Sequence, residues 1–440
     1  MKRVLILAYD FPPYVSVGGL RPYAWYKYLH HYGIYPIVVT RQWENNYQNH
    51  LDYIAPSKST ENIVEESEYG TIIRTPYQPN LANRIMLKYG TTKYQLIRKA
   101  ISGFYEFAQW MYAIGPKVQL YFAARDYLKS NQVDVIIATG DPFILFKYAS
   151  KLSKQFQLPW YADYRDPWVQ DKSREKNKLF QQWDSYWERK CLRHVKGIIT
   201  VSSFVQKQIA SLVKGKTYHI VPNGYDPENI DQVKHIQQNE TCMSIAFVGT
   251  VYDWHPLESF LRVCNQLIQD KAIELRINFY GTSAELEIKK LIANQFPQLK
   301  AWVTIEKRMP NLQLLQKLAH NNLFLLFNDY SILGTKIFDY VALKRKVLLC
   351  YQEDEEAMQL KRQYFLIREF DSESQQLQAD LLEETQGGYV VKNSNELAEV
   401  LRDLYHEFKT TRNIHCASIN TEKYSRAEQL KKIVKLIEVA

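Results

Sequence analysis

Residues 4–19, Val4-Leu5-Ile6-Leu7-Ala8-Tyr9-Asp10-Phe11-Pro12-Pro13-Tyr14-Val15-Ser16-Val17-Gly18-Gly19, decide the fold of the chain. A short apolar run without polar alternation is typical of a strand that is buried on both faces of a parallel sheet. A turn follows this run, and two glycines then precede a helix that opens near Leu20 and Arg21. The stretch therefore predicts a strand, a loop and a helix, which is the opening of an α/β fold.

The same pattern recurs along the chain. Helical stretches separate the apolar runs, and helices between buried strands imply right-handed crossovers in a parallel sheet. The sequence therefore predicts an α/β protein of two Rossmann-like, doubly wound parallel sheets. The predicted strands are 4–9, 35–40, 71–75, 133–139, 159–164, 197–201 and 218–222 in the first half, and 243–248, 275–280, 302–306, 323–327, 347–350 and 388–391 in the second.

A cluster of turn-forming residues at 222–227 separates the two halves. The chain has 440 residues, which is too long for one ordinary core and suits two domains. We predict an N-terminal domain over 1–225, a C-terminal domain over 226–420, and a C-terminal helix within 421–440 that crosses back to the N-terminal domain. Ligands of such sheets bind beyond the C-terminal ends of the strands, so we expect the loops of both halves to face a cleft.

Composition excludes several protein classes. No apolar run approaches the roughly 20 residues of a membrane span, and the N-terminus lacks a signal-peptide cleavage site. The five cysteines are scattered and never form a CxxC pair. A disulfide framework or zinc site is therefore not expected, and a reducing cytoplasm fits the chain best. No cofactor and no metal are expected.

Positive charge is concentrated in the first half of the chain. Residues 1–220 carry an excess of 13 positive charges, whereas residues 221–440 carry an excess of 4 negative charges. Residues 74–129 hold nine basic residues, two acidic ones and many aromatics. This segment suits the anionic inner face of a membrane or a lipid pyrophosphate, and the alternative is a set of solvated helix faces. Nucleic acid is not expected, because no recognised binding motif accompanies the charge.

Two loops of the first half are candidate functional sites. Gly18 and Gly19 precede a helix, so their backbone can approach a ligand and leave amide groups free for an anion; the alternative is a tight connection. The second loop, 163–168, places Arg165 between two aspartates after an apolar run. Arg165 or Asp166 could hold a substrate in the cleft, or Arg165 could form an internal clamp with the flanking carboxylates.

The third candidate site is the segment 334–340 of the second half. Gly334 ends a loop, and Thr335 and Lys336 open a helix whose N-terminal amides and lysine charge would suit a diphosphate. Asp339 lies one turn further along and could accept the hydroxyls of a ribose. The alternative is an ordinary surface pair of Lys336 and Asp339 on a packed helix.

Five motifs follow one another along the chain: Pro12-Pro13 with Gly18-Gly19 and Arg21, then 163–168, 221–226, 247–252 and 334–340. In this order they resemble the retaining GT-B glycosyltransferases of the family-4 type, bacterial enzymes that often build surface polysaccharides. The resemblance covers nearly the whole chain. It implies a nucleotide-sugar donor, a glycan or lipid-linked acceptor, and metal-independent transfer with retained anomeric configuration.

The resemblance also implies roles for individual residues. Gly18 and Gly19 would contact the donor sugar and its phosphate, and Lys336 with the amides of Gly334 and Thr335 would bind the diphosphate. Asp339 stands where the family usually has a glutamate that binds ribose. Gly249 and Thr250, in the motif 247–252, join the donor site, whereas Arg165, Asp166 and Lys336 are the candidate catalytic residues.

The chain departs from the family pattern in several segments. Residues 252–256 lack the family's arginine and lysine, the first glutamate of its pair falls near Ser331 or Ile332, and the loop 139–142 lacks its histidine. Three functions therefore stay open. They are an active sugar transferase, a catalytically inactive GT-B subunit that binds a partner enzyme or glycan, and a GT-B sugar-nucleotide epimerase.

Overall fold

The computed structural model describes residues 1–44, 50–171, 177–330, 332–364 and 376–440. These residues form two compact units, each with its own sheet and core. The first unit comprises Met1–Pro222 and Gln429–Ala440, and the second comprises Asn223–Glu428. Both units are α/β, as the sequence predicts.

The first unit contains an eight-stranded sheet in the order β3-β4-β2-β1-β5-β6-β7-β8. All neighbours are parallel except β3, which pairs with β4 in antiparallel fashion at the edge. The sequence analysis did not predict β3, because its four residues are all exposed and form no apolar run. The strands are β1 (Lys2–Leu7), β2 (Ile34–Arg41), β3 (Ile63–Glu66), β4 (Thr71–Thr75), β5 (Val135–Gly140), β6 (Trp160–Tyr164), β7 (Gly197–Thr200) and β8 (Tyr218–Ile220).

Helices cover this sheet on both faces, and large side chains such as Trp160 and Phe146 are fully buried between the layers. A short 3-10 turn at Leu29–Tyr32 and the left-handed Gly33 end the first helix before β2. The helices are α1 (Val17–Tyr28), α2 (Leu81–Tyr89), α3 (Gln95–Met111), α4 (Val118–Ser130), α5 (Ile144–Phe156), α6 (Lys178–Cys191) and α7 (Ser203–Leu212).

The second unit contains a six-stranded, fully parallel sheet in the order β11-β10-β9-β12-β13-β14. Its strands are β9 (Met243–Val248), β10 (Leu275–Tyr280), β11 (Val303–Glu306), β12 (Leu323–Phe327), β13 (Lys346–Cys350) and β14 (Gly388–Val391). Its helices are α8 (Pro227–Val233), α9 (Leu257–Gln269), α10 (Glu285–Gln295), α11 (Asn311–Ala319), α12 (Lys336–Ala342), α13 (Glu355–Tyr364), α14 (Leu377–Thr385) and α15 (Ser394–Thr411).

The C-terminal segment 421–440, for which the sequence predicts a helix, contains a short 3-10 turn followed by a helix. Thr421–Tyr424 forms a 3-10 turn of the second unit, where Tyr225 and Tyr424 share a backbone hydrogen bond of 3.1 Å. Helix α16 (Arg426–Glu438) follows, and from Gln429 onward its residues belong to the first unit. Tyr161 of β6, for example, donates a hydrogen bond to the backbone oxygen of Leu436.

A buried ion pair joins α1 to the sheet of the first unit. Arg21 donates from Nε and Nη2 to Oδ1 of Asp163 at 3.0 and 2.9 Å, and Asp163 is fully buried. The same guanidinium donates from Nη1 to the backbone oxygens of Val221 and Pro222 at 2.8 and 3.1 Å. A single side chain therefore ties α1, the end of β6 and the chain beyond β8 together.

Removing Arg21 should destabilise the first unit strongly. Arg21→Met leaves Asp163 as an unpaired buried carboxylate, a change that typically costs about 3–5 kcal/mol. Arg262→Met is the control, because its ion pairs with Glu258 and Glu356 are solvent-exposed and such pairs contribute about 0–1 kcal/mol. Urea denaturation should show a large decrease in the free energy of unfolding for Arg21→Met. The double variant Arg21→Met/Asp163→Asn should recover part of that free energy. Equal losses for Arg21→Met and Arg262→Met would contradict this role.

Candidate functional site

The strand order determines where each unit can bind a ligand. In a doubly wound sheet, loops diverge at the C-terminal ends of the two neighbouring strands where the order reverses, and a crevice opens there. In the first unit this switch point lies between β1 and β5, and in the second it lies between β9 and β12. Polar and charged side chains are found at both switch points.

The loop after β1 is fixed by hydrogen bonds around Ser16. Ser16 is the N-cap of α1: its Oγ accepts from the amide of Gly18 at 3.1 Å and donates to Oδ2 of Asp10 at 2.7 Å. The amide of Gly19 donates to the backbone oxygen of Ser16 at 3.1 Å. The carboxylate of Asp10, at the end of the first strand, is thereby held beside the glycine pair.

Gly18 occupies a position where a larger residue does not fit. A Cβ atom there would overlap the guanidinium of Arg165 and lie 2.9 Å from Oδ2 of Asp10. Gly19 is less constrained, since its nearest neighbours would lie 3.3 Å away. The structure thus brings the predicted residues Gly18 and Arg165 into direct contact, together with Asp10, which the sequence analysis did not select.

Arg165 positions the neighbouring loop of β5. Its Nε and Nη2 donate to the backbone oxygens of Gly140 and Asp141, both at 2.9 Å. The alternative of an internal clamp between Arg165 and its flanking carboxylates does not hold for Asp163, because Asp163 is bonded to Arg21 on α1. Asp166 is exposed at the surface of the same loop.

Four charged groups interact at this switch point. Burial raises the pKa of Asp10 above its usual value, although Ser16 and Arg165 oppose the shift. Burial lowers the pKa of Lys117, whereas the carboxylates of Asp141, Glu106 and Asp10 raise it. The ammonium of Lys117 also lies 5.3 Å from the ring centroid of Tyr9. Two aspartates and two cations are therefore gathered where the glycine loop meets the end of β5.

In the second unit, Gly249 and Thr250 follow β9 at the switch point. Gly249 has a φ of +85°, which favours glycine, and its amide donates to the backbone oxygen of Tyr280 at 2.9 Å. A Cβ atom at Gly249 would meet no atom within 4 Å. Thr250 is exposed. The turn therefore leaves open space beside the end of β9.

Asp329, just beyond β12, gathers the loop that follows β9. Its Oδ1 accepts from Nε1 of Trp254 at 2.9 Å and lies 3.3 Å from Nε2 of His255. The backbone amide of Tyr252 donates to Nδ1 of His255 at 3.2 Å, which leaves the proton on Nε2. Burial lowers the pKa of His255, so the neutral ring donates to an ionised Asp329 at neutral pH.

Lys336 lies at the same switch point and is partly buried. Its ammonium lies 4.3 Å from the ring centroid of Phe247 on β9. Burial lowers its pKa to about 8, and Asp329 opposes this shift. Thr335 caps α12 without a side-chain hydrogen bond, and Gly334 is open on its Cβ side. A cation in low-dielectric surroundings beside free helix amides is suited to an anionic ligand.

Asp339 faces a different set of groups from Lys336. Burial raises its pKa to about 6, while Arg426 lowers it and Asp226 raises it further. The ordinary surface pair of Lys336 and Asp339 is therefore not what the structure shows. Asp226 itself caps α8 by accepting from the amides of Glu228 and Asn229 at 3.1 and 3.4 Å.

Several residues of these clusters escaped the sequence analysis. Asp10 and Asp329 each lie within three residues of the end of a buried strand, and that position was an available signal. Lys117, Trp254 and His255 carry no such signal, because only tertiary packing brings them to the strand ends. The first glutamate of the family's pair was expected near Ser331 or Ile332. Of these two residues the structure describes Ile332, and Ser331 lies outside the described residues. Among the described residues, no three His, Cys, Asp or Glu side chains converge as metal ligands.

Comparison with known proteins agrees with this architecture. Residues 23–229 match the family model described as Glycosyltransferase Family 4. No curated protein sequence matches the chain. The chain has the GT-B fold, which it shares with solved glycosyltransferase structures.

Three solved structures share this fold at low sequence identity. Sucrose-phosphate synthase of Thermosynechococcus elongatus has a TM-score of 0.55 and 14% identity, with 100% of this chain and 94% of that chain covered. HepE of Anabaena, in complex with UDP-glucose, has a TM-score of 0.56 and 11% identity, with both chains covered completely at 100%. The trehalose-phosphate synthase of Burkholderia xenovorans has a TM-score of 0.59 and 10% identity, with 99% of this chain and 100% of that chain covered.

Substitution of Gly18 should disturb the first switch point. Gly18→Ala forces its methyl group against Arg165 and Asp10, and overpacking of this kind typically costs about 1–3 kcal/mol. Gly103→Ala within α3 is the control, since a Cβ atom there meets nothing within 4 Å and helix propensity improves. Thermal denaturation should show a lower midpoint only for Gly18→Ala. An unchanged midpoint would mean that Arg165 does not press against this loop.

Proposed function

We propose that this chain, whose residues 23–229 match the model of Glycosyltransferase Family 4, transfers a sugar from a nucleotide-sugar donor to a glycan or lipid-linked acceptor. The observation that carries the proposal is the pair of charged clusters at the two switch points of a GT-B fold. The Anabaena protein of the same fold was crystallised with UDP-glucose, which supports a donor of this chemical class.

We assign the donor's nucleotide to the second unit. Lys336 would bind the diphosphate together with the amides at Gly334 and Thr335. An approaching diphosphate favours the charged ammonium and offsets the cost of its burial. The open turn at Gly249 and Thr250 would lie against the donor. Asp339 would accept the ribose hydroxyls, for which its carboxylate form is needed above pH 6.

The first unit would hold the donor sugar and the acceptor. The backbone of Gly18 and Gly19 can approach the sugar phosphate closely because neither residue carries a side chain. Asp10 would accept a hydrogen bond from a sugar hydroxyl, since it already lies beside that loop. Arg165 would act as a positioning residue through the Gly140 and Asp141 carbonyls rather than by pairing with substrate. Asp166, which is exposed, stays a candidate for acceptor contact.

The proposed transfer needs no metal and retains the anomeric configuration. The bond between the anomeric carbon and the diphosphate oxygen breaks, and the acceptor oxygen bonds to the same carbon on the same face. The proton of the acceptor hydroxyl passes to the leaving diphosphate. Lys336 and the helix amides would stabilise the charge that develops on that diphosphate, as preorganised electrostatic groups do in other enzymes. A role in cell-surface polysaccharide synthesis stays a prediction of the resemblance, and a cytoplasmic location stays a prediction of the cysteine pattern.

An inactive sugar-binding subunit is the second candidate. The observation that favours it is the loop 252–256, where the family's arginine and lysine are absent and Trp254 and His255 are instead bonded to Asp329. Lys336 would then be the main cation for a diphosphate at this end of β9. Binding without turnover would distinguish this function from a transferase.

Nucleotide affinity should depend on Lys336 and on pH. Lys336→Ala should weaken binding of a nucleoside diphosphate by about 1.5–3 kcal/mol, the range of a charge-assisted contact. The pKa of Lys336 is about 8, so affinity of the wild-type chain should fall as pH rises through 8 and the ammonium loses its proton. Lys336→Arg is the control, because a guanidinium stays charged and should remove the pH dependence. Calorimetry from pH 6.5 to 9.5 measures both effects, and equal affinity of Lys336→Ala and wild type would exclude this diphosphate site.

Turnover itself is tested with a panel of nucleotide sugars and lipid-linked acceptors. Mass spectrometry should detect one transferred sugar, and NMR of the product should show the donor's anomeric configuration. Activity should persist in excess EDTA, because protein cations neutralise the diphosphate. Loss of activity in EDTA and its return with Mn²⁺ would refute metal independence. A product of inverted anomeric configuration would refute retention. Nucleotide binding without any product would favour the inactive subunit.

A further inference from the structure

Helix α3 exposes an apolar face that no other described element of its unit covers. The side chains of Leu96, Ile97 and Phe104 are 82%, 54% and 62% exposed. All three lie in the first three turns of the helix. Ile97 and Phe104 are seven positions apart and therefore lie on the same side of the helix, and Leu96 lies next to them in one broad apolar sector. Exposed apolar clusters of this kind mark interaction surfaces rather than ordinary protein surface.

The opposite end of α3 is firmly attached to the first unit. Trp110 is buried and stacks on Trp168 and Trp187, with centroid distances of 4.9 and 5.8 Å. Phe107 stacks on Trp183 of α6 at 4.1 Å, and Lys147 donates to the backbone oxygen of Tyr112 at 2.9 Å. Helix α3 is thus held at its C-terminal end, and its N-terminal turns extend with α2 as an exposed helical hairpin.

Basic residues surround the exposed apolar face. Between residues 81 and 112 the chain carries Arg84, Lys88, Lys93, Arg98 and Lys99 but only one acidic residue, Glu106. All lie on α2, on α3 or in the short connection between them, where Tyr89 and Tyr94 pack at 5.1 Å. The hairpin therefore combines a cationic rim with an apolar and aromatic tip.

The remaining basic residues of 74–129 do not belong to this surface. Arg74 bonds Glu65 and the backbone oxygen of Pro12, and Lys117 lies in the cluster beside Asp10. Arg125 and Lys129 both bond Asp126 on α4. Of the segment 74–129, for which the sequence predicts a membrane surface, only the α2–α3 hairpin, residues 81–112, therefore presents its basic residues on one exposed surface.

We propose that the α2–α3 hairpin docks on an anionic lipid bilayer, with Leu96, Ile97 and Phe104 inserted among the headgroups and the lysines contacting lipid phosphates. Charge complementarity decides between occupants. A second copy of this face would bring five basic residues against five more, whereas a bilayer with anionic lipids attracts each by about 1 kcal/mol. The helix would lie on the surface, since no described helix is long and apolar enough to cross a membrane.

This inference is independent of the proposed transfer reaction, because it rests on exposure and charge alone. Flotation of the full chain with vesicles of phosphatidylglycerol and phosphatidylcholine should show binding that weakens with salt. Leu96→Ser/Ile97→Ser/Phe104→Ser should lower the partition coefficient at least tenfold. Lys88→Gln/Lys93→Gln/Lys99→Gln should do the same at low salt. This variant leaves Arg84 and Arg98 in place, because they bond the backbone oxygens of Pro79 and Lys93.

Matched controls separate a specific site from general charge. Leu286→Ser on α10 removes a leucine of similar exposure, 68%, and Lys271→Gln/Lys290→Gln/Lys300→Gln removes the same charge from the second unit. Both controls should bind vesicles as wild type does, and all variants should keep the wild-type melting midpoint. Wild-type-like binding by the serine triple variant would overturn the proposal. Absence of wild-type binding, or dimers in light scattering that the serine variant abolishes, would overturn it as well.

Discussion

The constraint on which this molecule depends is the burial of two parallel sheets on both faces. Every backbone donor and acceptor inside such a sheet is used by neighbouring strands, and side chains on both faces must be apolar. A strand of such a sheet can therefore present charged groups most readily where it ends. The candidate chemistry of both units is found there, at Asp10 and Asp141 in one unit and at Asp329 and Lys336 in the other.

Three charged groups near the strand ends are each bonded to specific partners. Asp163 is bonded by Arg21, Asp329 by Trp254 and His255, and the guanidinium of Arg165 by two backbone oxygens. Lys336 differs, since burial lowers its pKa to about 8 and its ammonium lies over an aromatic ring. A buried cation with a depressed pKa is the group that gains most from an incoming anion.

The departures from the family pattern have a structural counterpart. The loop after β9 lacks the expected arginine and lysine, yet it is rigidly held because its tryptophan and histidine converge on Asp329. In the first unit, the loop 139–142 lacks the expected histidine but presents Asp141 beside Lys117 and Asp10. Both strand ends thus carry organised polar groups of a composition different from the family's usual one.

The sequence by itself determined the α/β fold and most strand positions, because a doubly buried strand must be a short uninterrupted apolar run. It also located the glycine pair at 18–19 and the helix start at Lys336, since both signals are local. Only the tertiary structure decided that Asp163 pairs with Arg21 and that Lys117 lies beside Asp10. The same holds for the basic residues of 74–129, which separate into Lys117 beside Asp10, surface ion pairs and one exposed hairpin. These outcomes depend on contacts between residues far apart in the chain, and charge or spacing along a sequence does not specify which partner a side chain will meet.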